Sequence, residues 1–230
     1  MLTLYIGNKN YSSWSLRPWL LMRVLGIPFE ERLLRFGDLA AWQAASTHLP
    51  SGRVPMLVDG ERRVWDSLAI VEYLAETHPG VWPGDGAARA WARSAAAEMH
   101  SGFSVLRQAC SMNVGVRVKL HEQSPKLQHD LARIDALWRD GLDRFGGPFL
   151  AGERFTAVDA FFAPVCFRVA TYDLALSPAA TAWQRQMLAL PQMRQWEAAA
   201  LAEDFRDEAH EAELAGAGDV VADRRARNRG

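Results

Sequence analysis

Residues 51–60 read Ser51-Gly52-Arg53-Val54-Pro55-Met56-Leu57-Val58-Asp59-Gly60, and residues 65–70 read Trp65-Asp66-Ser67-Leu68-Ala69-Ile70. Pro55 cannot donate a backbone hydrogen bond to a neighbouring strand, so it belongs at the start or the edge of a strand. The apolar residues 56–58 predict that strand, and Asp59-Gly60 is a strong hairpin-turn signal. We therefore expect a second strand at residues 62–65 and a helix that begins near Ser67.

The residues before this hairpin predict a small α/β unit. A helix opens near Ser15, which is a suitable N-cap, and Pro18 fits its first turn because a missing N–H costs little there. Gly26 ends this helix. The predicted elements are strands at residues 2–5, 31–34, 56–58 and 62–65 and helices at residues 15–25, 38–47 and 67–77. Their order is βαβαββα.

The chain after this unit is predicted to be helical. Residues 78–86 are rich in proline and glycine, and we place a boundary there between domains at residues 1–79 and 87–205. Thr156 and Asp159 form a capping-box-type helix start, with Asp in place of the usual Glu, and we assign Asp159 a folding role. The predicted helices lie at residues 87–109, 125–145, 178–190 and 191–204, and a further helix begins at Thr156.

Composition and charge narrow the classes of function. The net charge of -1 indicates neither a nucleic-acid nor an anionic-membrane partner, and no apolar run is long enough to span a bilayer. Residues 1–6 predict a strand rather than a signal peptide. Cys110 and Cys166 stand far apart in apolar surroundings, which indicates two reduced core thiols and neither a disulfide nor a metal site. Residues 206–230 alternate charges with alanine and glycine, so we expect a solvated, frayed extension there.

Several of these motifs together resemble a known family. Val54-Pro55 before a strand and Asp66-Ser67 at a helix start, at this separation, resemble the N-terminal thioredoxin-like domain of cytosolic glutathione transferases. The pair Thr156 and Asp159 resembles the start of the buried central helix in the second domain of that family. Residues 12–17, Ser-Ser-Trp-Ser-Leu-Arg, are similar to Ser-Ser-Cys-Ser-Trp-Arg of the zeta class. The resemblance covers residues 2–205 and implies an α/β thioredoxin-like domain followed by an all-α domain.

The resemblance implies a cytoplasmic, homodimeric glutathione transferase that joins the glutathione thiolate to a small, apolar electrophile in detoxification. It implies no metal. A second reading is a glutathione-dependent cis–trans isomerase of the maleylacetoacetate isomerase type, although Trp14 and Leu16 depart from the zeta pattern. A third is a non-catalytic ligand-binding protein, because fold alone does not decide function. No cysteine lies near Ser12, which argues against cysteine-dependent peroxidase or thiol-reductase chemistry.

The chemistry of such an enzyme requires a thiolate. A free thiol has a pKa of about 8.5, and lowering it by about two units requires roughly 3 kcal/mol. A hydrogen bond to a charged acceptor supplies about 1.5–3 kcal/mol, and a helix N-terminus adds roughly 0.3–1 kcal/mol. One hydroxyl is therefore sufficient. Similarity to the zeta class favours Ser12 as the catalytic residue, with Ser15 and Tyr11 as rivals; alternatively, these hydroxyls only cap the helix.

The resemblance also implies how glutathione is held. Val54 offers its backbone to the cysteinyl residue as an added antiparallel strand, with Pro55 in the cis form. Asp66 binds the γ-glutamyl ammonium, and Ser67 with its helix N-terminus binds the γ-glutamyl carboxylate. The residues expected to contact glutathione are Ser13, Ser15, Arg53, Val54, Pro55, Asp66 and Ser67.

Two further features are candidates for binding anions or the second substrate. Arg53 and His48 are candidates for the glycyl carboxylate, although both also fit ordinary surface positions. Met99, Phe103 and Arg107 share one face of the predicted helix at 87–109, which indicates either an electrophile pocket or a core and dimer contact. Arg107 suits an anionic substrate. The residues expected to line the pocket are Tyr11, Trp14, Met99, Phe103 and Arg107.

Overall fold

The computed structural model describes residues 1–47 and 49–225. The elements in chain order are β1 (Leu2–Ile6), α1 (Ser13–Val24), β2 (Phe29–Leu33), α2 (Leu39–Ala45), β3 (Met56–Asp59), β4 (Arg62–Trp65), α3 (Ser67–Ala75), α4 (Gly86–Ser101), α5 (Ser104–Ala109), β5 (Val116–Leu120), α6 (Pro125–Phe145), α7 (Ala157–Tyr172), α8 (Pro178–Ala189), α9 (Pro191–Ala202), α10 (Glu208–Ala217) and β6 (Gly218–Asp223). The prediction of an α/β part followed by a helical part is confirmed.

The first part is built on a four-stranded sheet with the order β2-β1-β3-β4. Strands β1 and β2 are parallel, whereas β3 runs antiparallel to both β1 and β4. The predicted βαβαββα order is confirmed, and β3 begins at Met56, directly after Pro55. The Val54–Pro55 peptide bond is cis, as expected. The hairpin turn uses Gly60 at a φ of 58°, a left-handed conformation that glycine adopts without strain.

The second part is organised around α7, whose residues are nearly all buried. Thr156 and Asp159 form the predicted capping box, and Asp159 Oδ2 accepts from the Thr156 N–H at 2.9 Å. Its Oδ1 accepts from the Leu150 N–H at 2.9 Å, and burial raises the pKa of this carboxyl to about 7. Cys110 and Cys166 are free and buried, as predicted. Among the described residues, no helix combines the length and apolar character needed to cross a bilayer.

Several helix ends differ from the predicted bounds, and two of these differences affect the site. The helix expected to open at Ser15 begins at Ser13 with Ser12 at the N-cap, so the assignment of Ser15 as N-cap is wrong. The helix expected over residues 87–109 is broken between α4 and α5. Phe103 has a left-handed φ of 56°, and a Cβ at Gly102 would lie 2.8 Å from the Glu98 carbonyl oxygen. The break leaves no continuous helical face from residue 99 to residue 107.

The C-terminal segment, defined here as residues 206–225, is ordered against the rest of the chain. The prediction of a frayed extension is therefore wrong for this segment, which forms α10 and β6. Strand β6 pairs antiparallel with β5, with Val116 opposite Asp223 and Leu120 opposite Gly218. Neither strand was expected, because their pairing joins residues about a hundred positions apart in the sequence. The domain boundary at residues 78–86 falls between α3 and α4 and stays a prediction.

Candidate functional site

Two adjoining clefts lie beside the N-terminus of α1. The strand-side cleft, of about 520 Å³, is lined by Trp14, Ser51, Arg53, Val54, Pro55, Trp65, Asp66 and Ser67. The helix-side cleft, of about 440 Å³, is lined by Tyr11, Ser12, Ser13, Trp14, Phe36, Trp42, Gly52, Arg53, Val54, Arg107, Ser111, Met112, Arg168, His210 and Glu213. Trp14, Arg53 and Val54 line both clefts, so a ligand that passes these residues reaches from one cleft into the other.

The strand-side cleft contains an acidic group fixed at a helix start. Asp66 is the N-cap of α3, with a left-handed φ of 74°, and its Oδ1 accepts from the Leu68 N–H at 2.8 Å. Its Oδ2 lies 3.4 Å from His100 Nε2. The Asp66 side chain is 44% exposed, which leaves the carboxylate accessible to a cationic group. Burial is the main cause that lowers the pKa of His100, against the opposing effect of the Asp66 charge.

A buried arginine lies directly beneath this cleft. Arg17 is 1% exposed, and its Nη1 donates to Ser67 Oγ at 3.3 Å. Its guanidinium stacks on the Trp14 ring at 4.2 Å, and its Nε has no hydrogen-bond partner among the described residues. Burial lowers the pKa of Arg17, since a charged group loses its hydration there. Sequence reasoning missed Arg17, although its place as the last residue of the zeta-like motif was a usable signal.

The hydroxyl groups at the start of α1 are not equivalent. Ser15 is fully buried, and its Oγ accepts from the Gly7 N–H at 3.1 Å and from Ser12 Oγ at 2.7 Å. Ser12 is 6% exposed and lines the helix-side cleft, whereas Ser15 lines neither cleft. Ser13 also lines the helix-side cleft, with Arg168 Nη2 at 3.5 Å from its Oγ. Ser12 is thus the serine whose hydroxyl links the buried hydrogen bonds to the cleft.

Tyr11 presents its ring to the cleft, but its hydroxyl is already engaged. The hydroxyl donates to Glu211 Oε1 at 2.7 Å and accepts from the Asp207 N–H at 3.4 Å. Burial, followed by the Glu211 carboxylate, raises the pKa of Tyr11 to about 12. Donation to any other group requires Tyr11 to leave its bond to Glu211.

Two arginines from separate helices form a basic wall of the helix-side cleft. Arg107, in α5, donates from Nε to the Gly102 carbonyl at 3.1 Å and also from Nη2 to the Met99 carbonyl. Arg168, in α7, is 5% exposed and donates to the Cys110 carbonyl. Burial lowers the pKa of Arg168 to about 10. These backbone carbonyls hold both guanidinium groups in place without neutralising their charge.

Sequence reasoning missed Arg168 and the C-terminal residues of the cleft. The usable signal for Arg168 was a lone basic residue within the apolar sequence of α7. His210 and Glu213 come from α10 and line the helix-side cleft. No local pattern placed them there, because α10 is held by the bond from Tyr11 to Glu211 and by the pairing of the following strand, β6, with β5.

Other expected site residues lie elsewhere. Met99 and Phe103 are buried in the core and line neither cleft, whereas Arg107 lines the helix-side cleft. Arg53 is exposed at the junction of the two clefts. His48 lies outside the described residues. Among the described residues, no three His, Cys, Asp or Glu side chains are grouped so as to hold a metal ion.

Two family models match parts of this chain. The family model for the glutathione S-transferase N-terminal domain matches residues 11–77. The family model for the C-terminal domain matches residues 116–199. A "Probable maleylacetoacetate isomerase" of Vibrio cholerae is 30% identical over 154 residues, which are 64% of this chain and 71% of the relative. A zeta-class glutathione S-transferase of Euphorbia esula is 32% identical over 118 residues, 50% of this chain and 52% of the relative.

Solved structures show the same fold. A glutathione transferase homologue from Burkholderia, with bound glutathione, has a TM-score of 0.64 at 22% identity. The match covers 86% of this chain and 97% of the homologue. The Omega 3C glutathione transferase of Trametes versicolor has a TM-score of 0.66 at 20% identity, with coverage of 85% and 88%. The sequence matches and the shared fold confirm the resemblance found in the motifs. The chain belongs to the glutathione S-transferase family and is zeta-like in sequence.

Proposed function

We propose that this protein binds glutathione in the strand-side cleft and presents its thiolate to a second substrate in the helix-side cleft. One observation carries the proposal: Val54, Asp66 and Ser67 line one cleft, which adjoins the cleft of Ser12. A structure of similar fold from Burkholderia contains bound glutathione. The reaction requires that glutathione is held in a fixed position and that a second substrate has space beside it. The two adjoining clefts suit these two requirements.

Each charged group of glutathione has a complementary group in the strand-side cleft. Val54 lies two residues before Met56, where the pairing of β3 with β1 ends, and this position supports the proposal that its backbone pairs with the cysteinyl residue. The accessible carboxylate of Asp66 suits the γ-glutamyl ammonium. The N-terminus of α3, with Ser67 and the buried Arg17 behind it, suits the γ-glutamyl carboxylate. Arg53 suits the glycyl carboxylate.

Ser12 is the proposed donor to the glutathione sulfur. It stands at the N-cap of α1 and lines the cleft, so hydroxyl and helix N-terminus act on the same atom. The competing hydroxyls are less suited. Ser15 is buried, and Tyr11 is bonded to Glu211. To bind the sulfur, the Ser12 hydroxyl turns away from Ser15, which keeps its bond to the Gly7 N–H.

The basic wall points to an anionic second substrate. Arg107 and Arg168 line the helix-side cleft with charges that no carboxylate among the described residues pairs within 4.0 Å. This observation favours a second candidate function, the glutathione-dependent isomerisation of a small diacid, over conjugation of an uncharged, apolar electrophile. The Vibrio cholerae relative carries the name of such an isomerase. Thiolate addition to the substrate is common to both reactions.

The remaining properties are proposals of the same kind. A homodimer is supported by Trp65, which is 49% exposed beside the partly buried Leu68, and sedimentation at micromolar concentration tests it. A cytoplasmic location is supported by the free, buried Cys110 and Cys166. Detoxification follows if the second substrate is a foreign electrophile.

Calorimetry of glutathione binding tests the proposed function. Asp66→Ala removes the partner of the γ-glutamyl ammonium, and a hydrogen bond between charged groups is worth about 1.5–3 kcal/mol, so affinity should fall by roughly tenfold to a hundredfold. Asp85→Ala is the matched control, because Asp85 caps α4 in the same way, by accepting from the Ala88 N–H at 2.7 Å, and lines neither cleft. Equal affinities for wild type and Asp66→Ala would remove Asp66 from the site. A wild type that binds no glutathione would refute the proposal.

Turnover then separates the candidate reactions. The wild type is assayed with a panel of electrophiles and diacid cis isomers, with and without glutathione. Isomerisation of a diacid only when glutathione is present supports the isomerase. Conjugates formed with uncharged electrophiles support the transferase. Glutathione binding without any turnover would favour the non-catalytic protein.

A further inference from the structure

The C-terminal segment brings a histidine and an aspartate together beside the helix-side cleft. Asp207 is the N-cap of α10, and its Oδ2 accepts from the His210 N–H at 3.1 Å. The same oxygen lies 2.5 Å from Nδ1 of the His210 ring. With the carboxylate ionised, Nδ1 carries a hydrogen and donates it to Asp207. This bond fixes the tautomer and the rotation of the ring.

Two aromatic rings hold the imidazole plane in position. His210 stacks on Tyr11 at a centroid distance of 4.9 Å and on Phe36 at 5.4 Å, with interplanar angles of 28° and 12°. Tyr11 is itself fixed by its bond to Glu211. No described residue forms a hydrogen bond with His210 Nε2, and this ring lines the cleft. The structure thus combines an oriented imidazole, one nitrogen of which has no hydrogen-bond partner among the described residues, with a position in the lining of the helix-side cleft.

The other polar groups of this cleft are poorly suited to deliver a proton. Arg107 and Arg168 hold their protons too tightly, since even the lowered pKa of Arg168 is about 10. Ser12 is assigned to the glutathione sulfur, and the Tyr11 hydroxyl is bonded to Glu211. Histidine is the side chain most often used for proton transfer near neutral pH. The Asp207–His210 pair therefore supplies a chemistry that the rest of the cleft lacks.

We propose that His210, held by Asp207 and acting in its imidazolium form with a hydrogen on both Nδ1 and Nε2, is a catalytic acid that protonates the second substrate when the thiolate adds to it. This role rests on the proposed function. With an epoxide, the sulfur–carbon bond forms, the carbon–oxygen bond breaks, and the alkoxide oxygen takes the proton from Nε2. With an α,β-unsaturated carbonyl compound, the sulfur bonds to the β-carbon and the enolate takes that proton. The proton that the next glutathione releases when its thiol ionises then restores the imidazolium, so one proton passes from thiol to product in each turnover.

Displacement of chloride from an aryl chloride provides an internal comparison. The sulfur–carbon bond forms, the carbon–chlorine bond breaks, and chloride leaves with the electron pair, so no proton is delivered. Loss of the acid should therefore reduce epoxide opening far more than chloride displacement. A general acid contributes typically about 10²–10⁴-fold to the rate.

His210→Phe is the first test, because it keeps a ring between Tyr11 and Phe36 but removes both nitrogens. The assay compares kcat/KM for styrene oxide with kcat/KM for 1-chloro-2,4-dinitrobenzene, both with glutathione. The ratio should fall at least tenfold. His129→Phe is the matched control, since His129 is exposed on α6 and lines neither cleft. In His210→Ala, added imidazole should restore epoxide opening in proportion to its concentration.

The outcomes separate this proposal from the proposed function. An unchanged ratio in His210→Phe, or an equal fall with both substrates, overturns the catalytic role and indicates a packing role. A wild type that turns over the aryl chloride but not the epoxide also overturns it, while glutathione transfer stands. A wild type that binds glutathione but uses it with neither substrate overturns the role of His210 alone, whereas a wild type that binds no glutathione overturns both proposals. Failure of imidazole to restore activity in His210→Ala, with the ratio lowered, counts against proton transfer.

Discussion

Replacing Ser12 with alanine should raise the pKa of the thiol of glutathione bound in the strand-side cleft. The change deletes the hydroxyl that faces the helix-side cleft and leaves Asp66, Ser67 and Val54 in place. A hydrogen bond to a charged acceptor is worth about 1.5–3 kcal/mol, which corresponds to about one to two pKa units. If thiolate attack limits the rate, turnover at neutral pH should fall roughly tenfold or more.

The cost of this change to folding should be small. Ser12 loses one hydrogen bond, 2.7 Å long, to Ser15 Oγ, and a neutral hydrogen bond contributes about 0.5–1.5 kcal/mol to stability. Ser15 still accepts from the Gly7 N–H, so no buried donor loses its partner. Glutathione affinity should change little. A large loss of affinity in Ser12→Ala would contradict the assignment of this hydroxyl to the sulfur alone.

The assay is a titration of the thiolate absorbance of the bound complex. Ser15→Ala is the structural control, because it leaves the buried Gly7 N–H without its acceptor and should lower stability by about 1–3 kcal/mol without shifting the titration. Tyr11→Phe tests the other rival. If Ser12→Ala titrates like wild type while one rival shifts, the catalytic assignment passes to that residue. If none shifts, the backbone amides and the N-terminus of α1 activate the thiol.

Two further predictions concern the basic wall and the C-terminal segment. Arg168→Met should raise KM for a dianionic substrate about tenfold or more, since a charge-assisted hydrogen bond is worth about 1.5–3 kcal/mol, and should affect an uncharged electrophile less; equal effects in steady-state kinetics would contradict an anion-binding role. Burial raises the pKa of Glu211, but hydrogen bonds from Arg225 and Tyr11 outweigh it and leave this pKa below its ordinary value. Glu211 thus stabilises the fold fully above its unfolded pKa of about 4.3, and this contribution is lost as the pH falls through its folded pKa. The Tm difference between wild type and Glu211→Gln should follow that course, and a difference independent of pH would refute it.

Sequence patterns determined the elements that depend on neighbouring residues. Helix α6 runs over Pro125–Phe145, the predicted bounds, because its apolar periodicity, its serine N-cap and the glycine that follows are all local. The hairpin at Asp59-Gly60 and the capping box at Thr156 are local in the same sense. The strand-side cleft was predictable for a related reason, since one hairpin and the next helix supply most of its lining residues.

Local patterns also misled where a tertiary contact overrides them. The apolar periodicity of residues 87–109 continues through the break at Gly102, and only the close approach to the Glu98 carbonyl oxygen shows why glycine stands there. The polar, alanine-rich composition of residues 206–225 is typical of a frayed end. The segment is held instead by Tyr11 and by β5, which no property of its own sequence reveals.

The set of residues that line the helix-side cleft follows from the tertiary structure and not from any local sequence pattern. Tyr11, Arg107, Arg168 and His210 come from four separate parts of the chain, up to about two hundred positions apart. Similarity to the zeta class favoured Ser12 over Ser15 in the sequence, but only packing shows that Ser12 lines the cleft while Ser15 is fully buried beneath it. Sequence periodicity reports which face of an element is apolar. It does not report which distant residues meet at that face, and the helix-side cleft is lined by residues of that kind.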